Sequence, residues 1–275
     1  MNIKMHWDRQ AAQGELSGTQ DRIAKNLEIE AISKFVQDGM RILDVGCGDG
    51  ETAWHLYDTK KVCVIGVDSS EKMIEVCMNK QKERGIGFGC PQPPSNFTHS
   101  GIGFIEKDVK KLSEWNPKPY DLIYTERTLI NLPTWEEQRQ AIVDIGSLLK
   151  PGGLYLMCEC FQGGLMDINA LRIEVGLEPI LPPWHNRYLH EGEIIHSLTD
   201  RKDPLHPVNS KLILEDRVDY SANYYFLSRV VEAYVAAQEG REPDYNSPIN
   251  RIGLLMQTAA VCIRGQGQLW VWIKS

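Results

Sequence analysis

Short apolar runs alternate with amphipathic stretches along the first 160 residues of this chain. The apolar runs predict buried parallel strands, because strands that are covered on both faces are apolar throughout. Between them apolar positions recur at helical spacing, as in Glu71 to Glu83. The predicted strands are 42–45, 62–67, 104–108, 120–125 and 154–160. This alternation predicts an α/β fold, a Rossmann-like doubly wound sheet with helices on both faces.

The C-terminal part of the chain has a different pattern. Residues 212–221 alternate enough to be a sixth strand, and Leu269 to Ile273 is a seventh. Two helical stretches, about 225–238 and 248–262, lie between them. We therefore expect a seven-stranded sheet whose last strand is antiparallel and lies beside strand five.

These patterns divide the chain into four parts. Residues 1–38 form an N-terminal lid segment and a helix from Asp21 to Val36, and residues 39–160 form the Rossmann-like core. Residues 161–206 are predicted to form a cap insertion, with a short helix at 165–176 and prolines that break the rest into loops and brief turns. Residues 207–275 hold the last strands with a helical insertion at 225–263.

A glycine-rich loop follows the first strand. Gly46, Gly48 and Gly50 come directly after the apolar run that contains Asp44, and an amphipathic stretch beginning at Glu51 follows them. Glycines allow a close approach of the backbone, and amide donors at a helix N-terminus suit a nucleotide or a carboxylate. The spacing differs from the G-x-G-x-x-G of dinucleotide sites. The alternative is an ordinary tight connection between a strand and a helix.

An acid ends the second strand. Asp68 follows the apolar run 62–67, where a carboxylate is placed to bind both hydroxyls of a ribose. It could instead cap the next helix, in competition with Ser69 and Ser70, and both roles are compatible in one turn.

Five segments together resemble the class I S-adenosylmethionine-dependent methyltransferases: 42–50, 64–73, 104–109, 120–124 and 148–154. The resemblance covers roughly residues 20 to 160 and implies S-adenosylmethionine as the cofactor. It places the methionine end near Asp44, Gly46 and Gly48, the ribose near Asp68, and the adenine near Asp108 and Val109. The other cofactor contacts that it suggests are Trp7, Arg22, Cys47, Ser69, Met73, Thr125 and Glu126.

The resemblance thins after residue 160, where such enzymes choose their acceptors. The cap insertion concentrates aromatic and histidine residues, which predicts acceptor contacts at Trp184, Arg187 and Tyr188. Tyr224 and Tyr225, near the top of the helical insertion, are further candidates. The alternative is a packed loop whose aromatic rings only bury area.

An oxygen or nitrogen acceptor must lose a proton, so a base near the methyl group is expected. His185 and His190 are the first candidates, because an unperturbed imidazole has a pKa near 6.5. Glu126 is the next, and it could serve only to position other groups.

Charge and composition narrow the partners. The net charge of −7, with scattered basic residues, argues against nucleic acid. No apolar run is long enough to cross a membrane, and the first residues lack the core of a signal peptide, so we expect a cytoplasmic protein. Seven cysteines without a C-x-x-C pair suggest free thiols, and the histidine spacing suggests no metal. A homodimer is one alternative for the oligomeric state.

The sequence thus predicts methyl transfer to a small polar or aromatic metabolite, with a hydroxyl as the expected acceptor. The alternatives are an N-methyltransferase acting on a small amine or sugar, and a non-catalytic nucleotide-binding or regulatory protein of the same fold. A nicotinamide oxidoreductase is disfavoured by the glycine spacing.

Overall fold

The computed structural model describes residues 3–12, 18–87, 100–115, 117–199, 212–248, 250 and 264–275. The strands are β1 Arg41–Val45, β2 Cys63–Asp68, β3 Gly101–Glu106, β4 Tyr120–Glu126, β5 Leu149–Cys160, β6 Leu212–Val218 and β7 Gly267–Lys274. The α-helices are α1 Ile3–Gln10, α2 Arg22–Ser33, α3 Glu51–Thr59, α4 Glu71–Glu83, α5 Trp135–Ser147, α6 Gln162–Glu174, α7 Glu191–Thr199, α8 Ala222–Phe226 and α9 Glu232–Glu239. Short 3-10 helices lie at Val109–Glu114 and Leu129–Asn131, and a π-helical turn at Leu227–Val231 joins α8 to α9.

The seven strands form one sheet in the order β3-β2-β1-β4-β5-β7-β6. The first five are parallel, whereas β7 pairs antiparallel with β5, with Leu154 opposite Ile273. The predicted fold and the position of the last strand are therefore confirmed. The strand order reverses between β1 and β4, and in open α/β sheets ligands bind at the carboxyl ends of the strands at such a point.

Alternate residues of the strands enter two hydrophobic layers, one on each face of the sheet. In β1, Ile42 belongs to the layer that contains α2 and α3 residues, and Leu43 to the layer that contains α5 residues; both are fully buried. At the C-terminus, Val271 and Trp270 divide in the same way. Burial on both faces explains why these strands are apolar throughout. The packed sheet in turn gives the loops at its carboxyl edge a fixed position.

Element boundaries differ from the sequence predictions at several places. The third strand covers 101–106, so Asp108 lies beyond it, and β5 begins at Leu149 because a register shift lets it pair with Tyr120. Helix α5 has Thr134 as its N-cap. The structure adds α1, which the polar N-terminal sequence did not predict. Most of the predicted helix at 248–262, and of the glycine- and proline-rich stretch 85–103, lies outside the described residues.

The expectation that all thiols are free is wrong at one position. Cys47, Cys77, Cys158 and Cys160 are free and buried. Cys63 is disulfide-bonded. The count and spacing of cysteines alone do not reveal such a bond.

Candidate active site

A cavity of about 450 Å³ opens at the carboxyl ends of β1, β2 and β4. It lies where the strand order reverses, as expected for a ligand site in this fold. The described residues that line it are Ile3, Lys4, Trp7, Gly18, Thr19, Arg22, Lys25, Asp44, Gly46, Cys47, Gly48, Asp49, Glu51, Thr52, Asp68, Ser69, Met73, Lys107, Asp108, Val109, Lys110, Glu126, Arg127, Thr128, Asn131, Leu132 and Pro133.

The glycine-rich loop forms one wall of this cavity in a conformation that glycine permits. Gly46 and Gly48 have φ angles of 78° and 54°, in the left-handed region. Gly46 and Cys47 donate backbone hydrogen bonds to Val67 O at 2.7 and 3.0 Å. A Cβ atom at Gly46 would come within 2.8 Å of Thr128 Cβ and closer still to its hydroxyl. The loop is thus fixed to β2 on one side and pressed against the loop after β4 on the other.

Asp68 connects the glycine loop to the start of α4. Its carboxylate accepts hydrogen bonds from Gly48 N at 3.0 Å and from Ser70 N at 2.8 Å. Ser70, rather than Asp68, is the N-cap of α4 and accepts from Met73 N. Burial raises the pKa of Asp68, although these backbone donors oppose the rise. The carboxylate therefore faces the cavity with its orientation set by the backbone.

Two further acids lie at the cavity. Asp44 is buried on β1, and burial raises its pKa to about 8, so the carboxyl group carries a proton at neutral pH. Asp108 caps the 3-10 helix that follows β3 by accepting from Lys110 N at 2.9 Å. Val109, the first residue of that helix, lines the cavity beside it.

A cluster of buried charges lies where α2 meets the end of β4. Glu126 accepts from Thr52 Oγ1 at 2.5 Å and forms an ion pair with Lys25. Arg127 Nη2 lies 3.2 Å from Glu28 and 3.7 Å from Glu126. Glu28 is almost completely buried, and four of these five residues line the cavity. The cluster brings α2, α3 and β4 together at one point of the crevice.

The two acids of this cluster have opposite pKa shifts. Burial raises the pKa of Glu28 to about 8. Burial alone would also raise the pKa of Glu126, but the charges of Lys25 and Arg127 outweigh it and lower the pKa to about 2. At neutral pH Glu126 is therefore the carboxylate and Glu28 the protonated acid. Two carboxyl groups in one buried site commonly divide in this way.

Arg127 has an unusual backbone. Its φ of 52° makes it the one non-glycine residue with positive φ among the described parts of the chain. Such a conformation costs of order 1 to 3 kcal/mol and persists only where surrounding contacts enforce it. Here Arg127 N donates to Cys158 O at 2.9 Å, and its guanidinium reaches Glu28. The turn after β4 is therefore held against the cavity at some cost in stability.

Comparison with known proteins agrees with this geometry. A family model described as a methyltransferase domain matches residues 36–174, about half of the chain. The chain belongs to the class I S-adenosylmethionine-dependent methyltransferases. S-adenosylmethionine is accordingly the cofactor of this methyltransferase. The residues at the crevice suit it, because a side chain at Gly46 would fill the space against Thr128 and because carboxylates stand at the ends of β2 and β3.

The relatives do not agree on one acceptor. The 27-O-demethylrifamycin SV methyltransferase of Amycolatopsis mediterranei is 27% identical over 54% of this chain and 47% of its own length. The O-methyltransferase rstn1 of Aspergillus nomiae is 23% identical over 80% of this chain and 86% of its own. Other relatives are named as N-methyltransferases or sterol C-methyltransferases. The chain spans about half the length, or less, of several of these curated relatives.

A solved structure supports the fold. Magnesium protoporphyrin IX methyltransferase from Synechocystis PCC 6803, solved with bound S-adenosylhomocysteine, is similar over 98% of this chain and 93% of that chain. The TM-score is 0.53 and the sequence identity 14%. The structural similarity at this sequence identity shows a shared fold alone.

Helix α1 covers one side of the cavity of this methyltransferase. Trp7 lines the cavity, Asp8 accepts a hydrogen bond from Ser70 Oγ at 2.6 Å, and Lys4 forms an ion pair with Glu106 at 2.8 Å. None of the residues of α1 is fully buried. Helix α1 therefore borders the cavity, and side-chain contacts attach it to the N-cap of α4 and to the end of β3.

An aromatic cluster joins α1 to the cap insertion. The rings of His6 and His185 are 4.4 Å apart between centroids, and Trp7 and His185 are 5.6 Å apart. Trp184 completes the cluster at 5.6 Å from His6, although 62% of it stays exposed. Burial lowers the pKa of His185, and the nearby His6 adds to the effect. His185 thus contacts a cavity residue without lining the cavity itself.

The residues proposed for the acceptor lie outside the cavity lining. Arg187 forms an ion pair with Glu193 at 2.8 Å, and Tyr188 is buried and accepts from Gln266. Tyr224 and Tyr225 are buried in the hydrophobic layer beneath α2. His190 is exposed in front of α7. The structure therefore does not bring these predicted residues together at the crevice.

The cofactor residues fare differently. All of those predicted line the cavity except Thr125, which is fully buried and hydrogen-bonded to Tyr155 at 3.0 Å. Thr125 precedes Glu126, the last residue of β4. Because side chains alternate along a strand, Thr125 points to the other face of the sheet, where it meets Tyr155. The sequence prediction missed Thr52, Arg127, Thr128 and Asn131. Three of these follow β4 directly, so their position after a strand end was a usable signal.

Among the residues that the structure describes, no group of three or more His, Cys, Asp or Glu side chains is arranged to hold a metal ion. No helix in the same parts of the chain is long and apolar enough to span a bilayer.

Proposed function

We propose that this methyltransferase transfers a methyl group from S-adenosylmethionine to a hydroxyl oxygen of a small polar or aromatic metabolite. The observation that carries the proposal is the order of polar groups along the carboxyl edge of the sheet: Asp108 follows β3, Asp68 ends β2, and Glu126, paired with Lys25, ends β4. This order matches adenine, ribose and the methionine end of one extended cofactor. When bound, the cofactor supplies the reactive carbon of an in-line displacement, so the protein mainly supplies position and electrostatics.

Each group of the cavity has a proposed partner. Asp68 accepts from the ribose hydroxyls, and Asp108 with Val109 borders the adenine. Lys25 and Arg22, on the first turn of α2, face the carboxylate of the methionine end. Lys25 also contacts Thr52 Oγ1 at 2.9 Å, which holds its ammonium group within the cavity.

The low pKa of Glu126 argues against it as the base, although its position is suitable. It is the one of the three proposed bases that lines the cavity. Its pKa of about 2 makes it a poor proton acceptor near neutral pH. Its ion pair with Lys25 gives it a different function: it fixes the cation that faces the cofactor. His185 and His190 stay hypotheses for the proton acceptor, and their positions outside the lining favour transfer that depends chiefly on alignment.

One relative supports the choice of an oxygen atom as the methyl acceptor. The relative that matches along four-fifths of this chain is named as an O-methyltransferase. The formal charge of −7 supports a small acceptor over nucleic acid, and the cytoplasmic location and the homodimer stay predictions. Methylation of a small amine or sugar nitrogen is the second candidate, because N-methyltransferases occur among relatives of similar identity.

The experiment is a transfer assay with radiolabelled S-adenosylmethionine against a panel of hydroxylated and amine acceptors. We expect label in a hydroxylated product. Label only in amines would replace the acceptor assignment. Binding of S-adenosylhomocysteine without transfer to any acceptor would favour a non-catalytic protein of the same fold.

A further inference from the structure

The C-terminal helical insertion contacts the beginning of α2. The first turn of this helix faces the cavity. We call residues 222–248 the clamp segment. Asp21, the N-cap of α2, accepts from Ala24 N at 3.0 Å and is almost fully buried. From the clamp segment, the Tyr224 hydroxyl and Arg229 Nη2 each donate to its carboxylate at 2.5 Å. One carboxylate therefore caps α2 and joins it to the insertion.

The clamp segment also contacts the backbone on both sides of Asp21. Asn246 Oδ1 accepts from Arg22 N at 3.3 Å, and Asn246 Nδ2 donates to Gln20 O at 3.3 Å. These bonds fix the direction in which the chain enters α2. A helix start that is held by side chain and backbone together has little freedom to shift along its axis or to fray.

Aromatic rings fix the position of Arg229. Its guanidinium carbon lies 3.8 Å from the centroid of Tyr245 and 4.9 Å from that of Tyr225. The side chains of Arg229 and Asp21 are only 13% and 7% exposed, so the pair is shielded from solvent. Arg229 lies in the π-helical turn that joins α8 to α9, and such turns often occur at functional sites.

The residues next to this anchor point into the cavity. Arg22 follows Asp21 directly, and Lys25 lies one turn further along α2. Neither Asp21 nor Arg229 lines the cavity. Any effect of the pair on a ligand must therefore pass through the position of α2.

We propose that Arg229, assisted by Tyr224, is a positioning residue for cofactor binding: it fixes the N-terminus of α2 and thereby places Arg22 and Lys25. This inference rests on the proposed contacts of Arg22 and Lys25 with the cofactor. It assigns a function to the helical insertion between β6 and β7. Misplacement of a positioned group by about 1 Å, even through a distant substitution, can cost about a hundredfold in reaction rate.

The test is the affinity for S-adenosylhomocysteine, measured by calorimetry on the full chain at a temperature where each variant is folded. We expect Arg229→Gln to weaken binding by between about tenfold and a hundredfold, the range for loss of one charged hydrogen bond to the ligand. Arg241→Gln is the matched control, because Arg241 forms ion pairs with Glu232 at 2.7 Å and with Glu239 at 2.6 Å, both within the same clamp segment. It should leave the affinity unchanged.

Two further variants separate positioning from simple stability. Asp21→Asn retains a good N-cap but removes the charge, so it should weaken binding as Arg229→Gln does. Arg229→Lys retains the charge without the planar guanidinium and should restore part of the affinity. If Arg229→Gln does not fold, Tyr224→Phe, which removes one hydroxyl, provides a milder loss of the same anchor.

A merely structural pair would give a different result. Lower unfolding temperatures for Arg229→Gln and Asp21→Asn, with wild-type affinity for S-adenosylhomocysteine, would overturn the inference. Failure of the cofactor contacts is distinguishable, because Lys25→Met would then bind as tightly as the wild type, whatever the result at Arg229. Weaker binding in Lys25→Met, Arg229→Gln and Asp21→Asn, with an unchanged Arg241→Gln control, would support both.

Discussion

The residues predicted to bind the cofactor and those predicted to bind the acceptor differ in whether the structure brings them together at the cavity. On the cofactor side the predicted residues meet at one cavity, with Thr125 as the exception. On the cap side Trp184, Arg187 and Tyr188 are occupied by contacts with α1, Glu193 and Gln266. Most of the predicted cofactor-binding residues lie at or just after the ends of strands, and the sheet itself brings these strand ends together. Cap residues depend on how a loop packs, which no local pattern specifies.

The largest expected effect is at the glycine loop. Gly46→Ala combines positive φ with a collision against Thr128, whereas Gly48 has positive φ and open space around it. We expect Gly46→Ala to lower the free energy of unfolding by about 2 to 5 kcal/mol, and Gly48→Ala by about 1 to 2. Urea unfolding of both variants measures the difference. Equal losses would show that the close approach to Thr128 is not required.

The next effect concerns the ribose. Asp68→Ala removes the paired acceptor and the bond to Gly48 N, so S-adenosylhomocysteine should bind more weakly by about 1 to 3 kcal/mol. Calorimetry measures it, with Asp58→Ala as the control, because Asp58 pairs with Arg84 on the surface of α3 and α4. Unchanged affinity in Asp68→Ala would mean that another group binds the ribose.

The buried charge cluster gives a pH prediction. The pKa of Glu28 is raised from 4.5 to about 8, so the folded state keeps a proton that the unfolded state has lost. The resulting stability is fully present below pH 4.5 and is lost as the pH rises through about 8. Glu28→Gln removes this titration, so its free energy of unfolding should fall less steeply over the same range, by at most about 1.4 kcal/mol per pH unit.

Unfolding by urea from pH 5 to pH 8 measures this slope. Glu30→Gln, an exposed position on the same helix, should retain the steeper wild-type slope. Parallel curves for Glu28→Gln and the wild type would place the proton elsewhere, for example on Asp44, whose pKa is shifted in the same direction.

The smallest effect is expected in the cap. Since His185 packs against His6 and Trp7 and His190 is exposed outside the cavity lining, His→Ala at either position should lower turnover by less than about tenfold. A general base is worth about a hundredfold to ten-thousandfold. Turnover and cofactor affinity measured on both variants decide the matter, and a loss in that larger range would restore a histidine base.

The sequence predicted most of the fold because its signals were local. Apolar runs indicated the strands, and the C-terminal strand lies antiparallel beside β5, where the sequence pattern placed it. The buried partners were not local. Glu28 and Arg127 are far apart in the sequence and meet only because α2 packs over the end of β4. The polar sequence of α1 gave no helical signal because its contacts are few and side-chain based.

We conclude that the crevice at the ends of β1, β2 and β4 binds S-adenosylmethionine. The most direct test is calorimetry of the wild-type chain with S-adenosylhomocysteine and, separately, with NAD. We expect one S-adenosylhomocysteine to bind per chain, more weakly in Asp68→Ala and equally well in Asp58→Ala, and we expect no binding of NAD. Binding of NAD in preference to S-adenosylhomocysteine, or binding that is indifferent to Asp68, would contradict it.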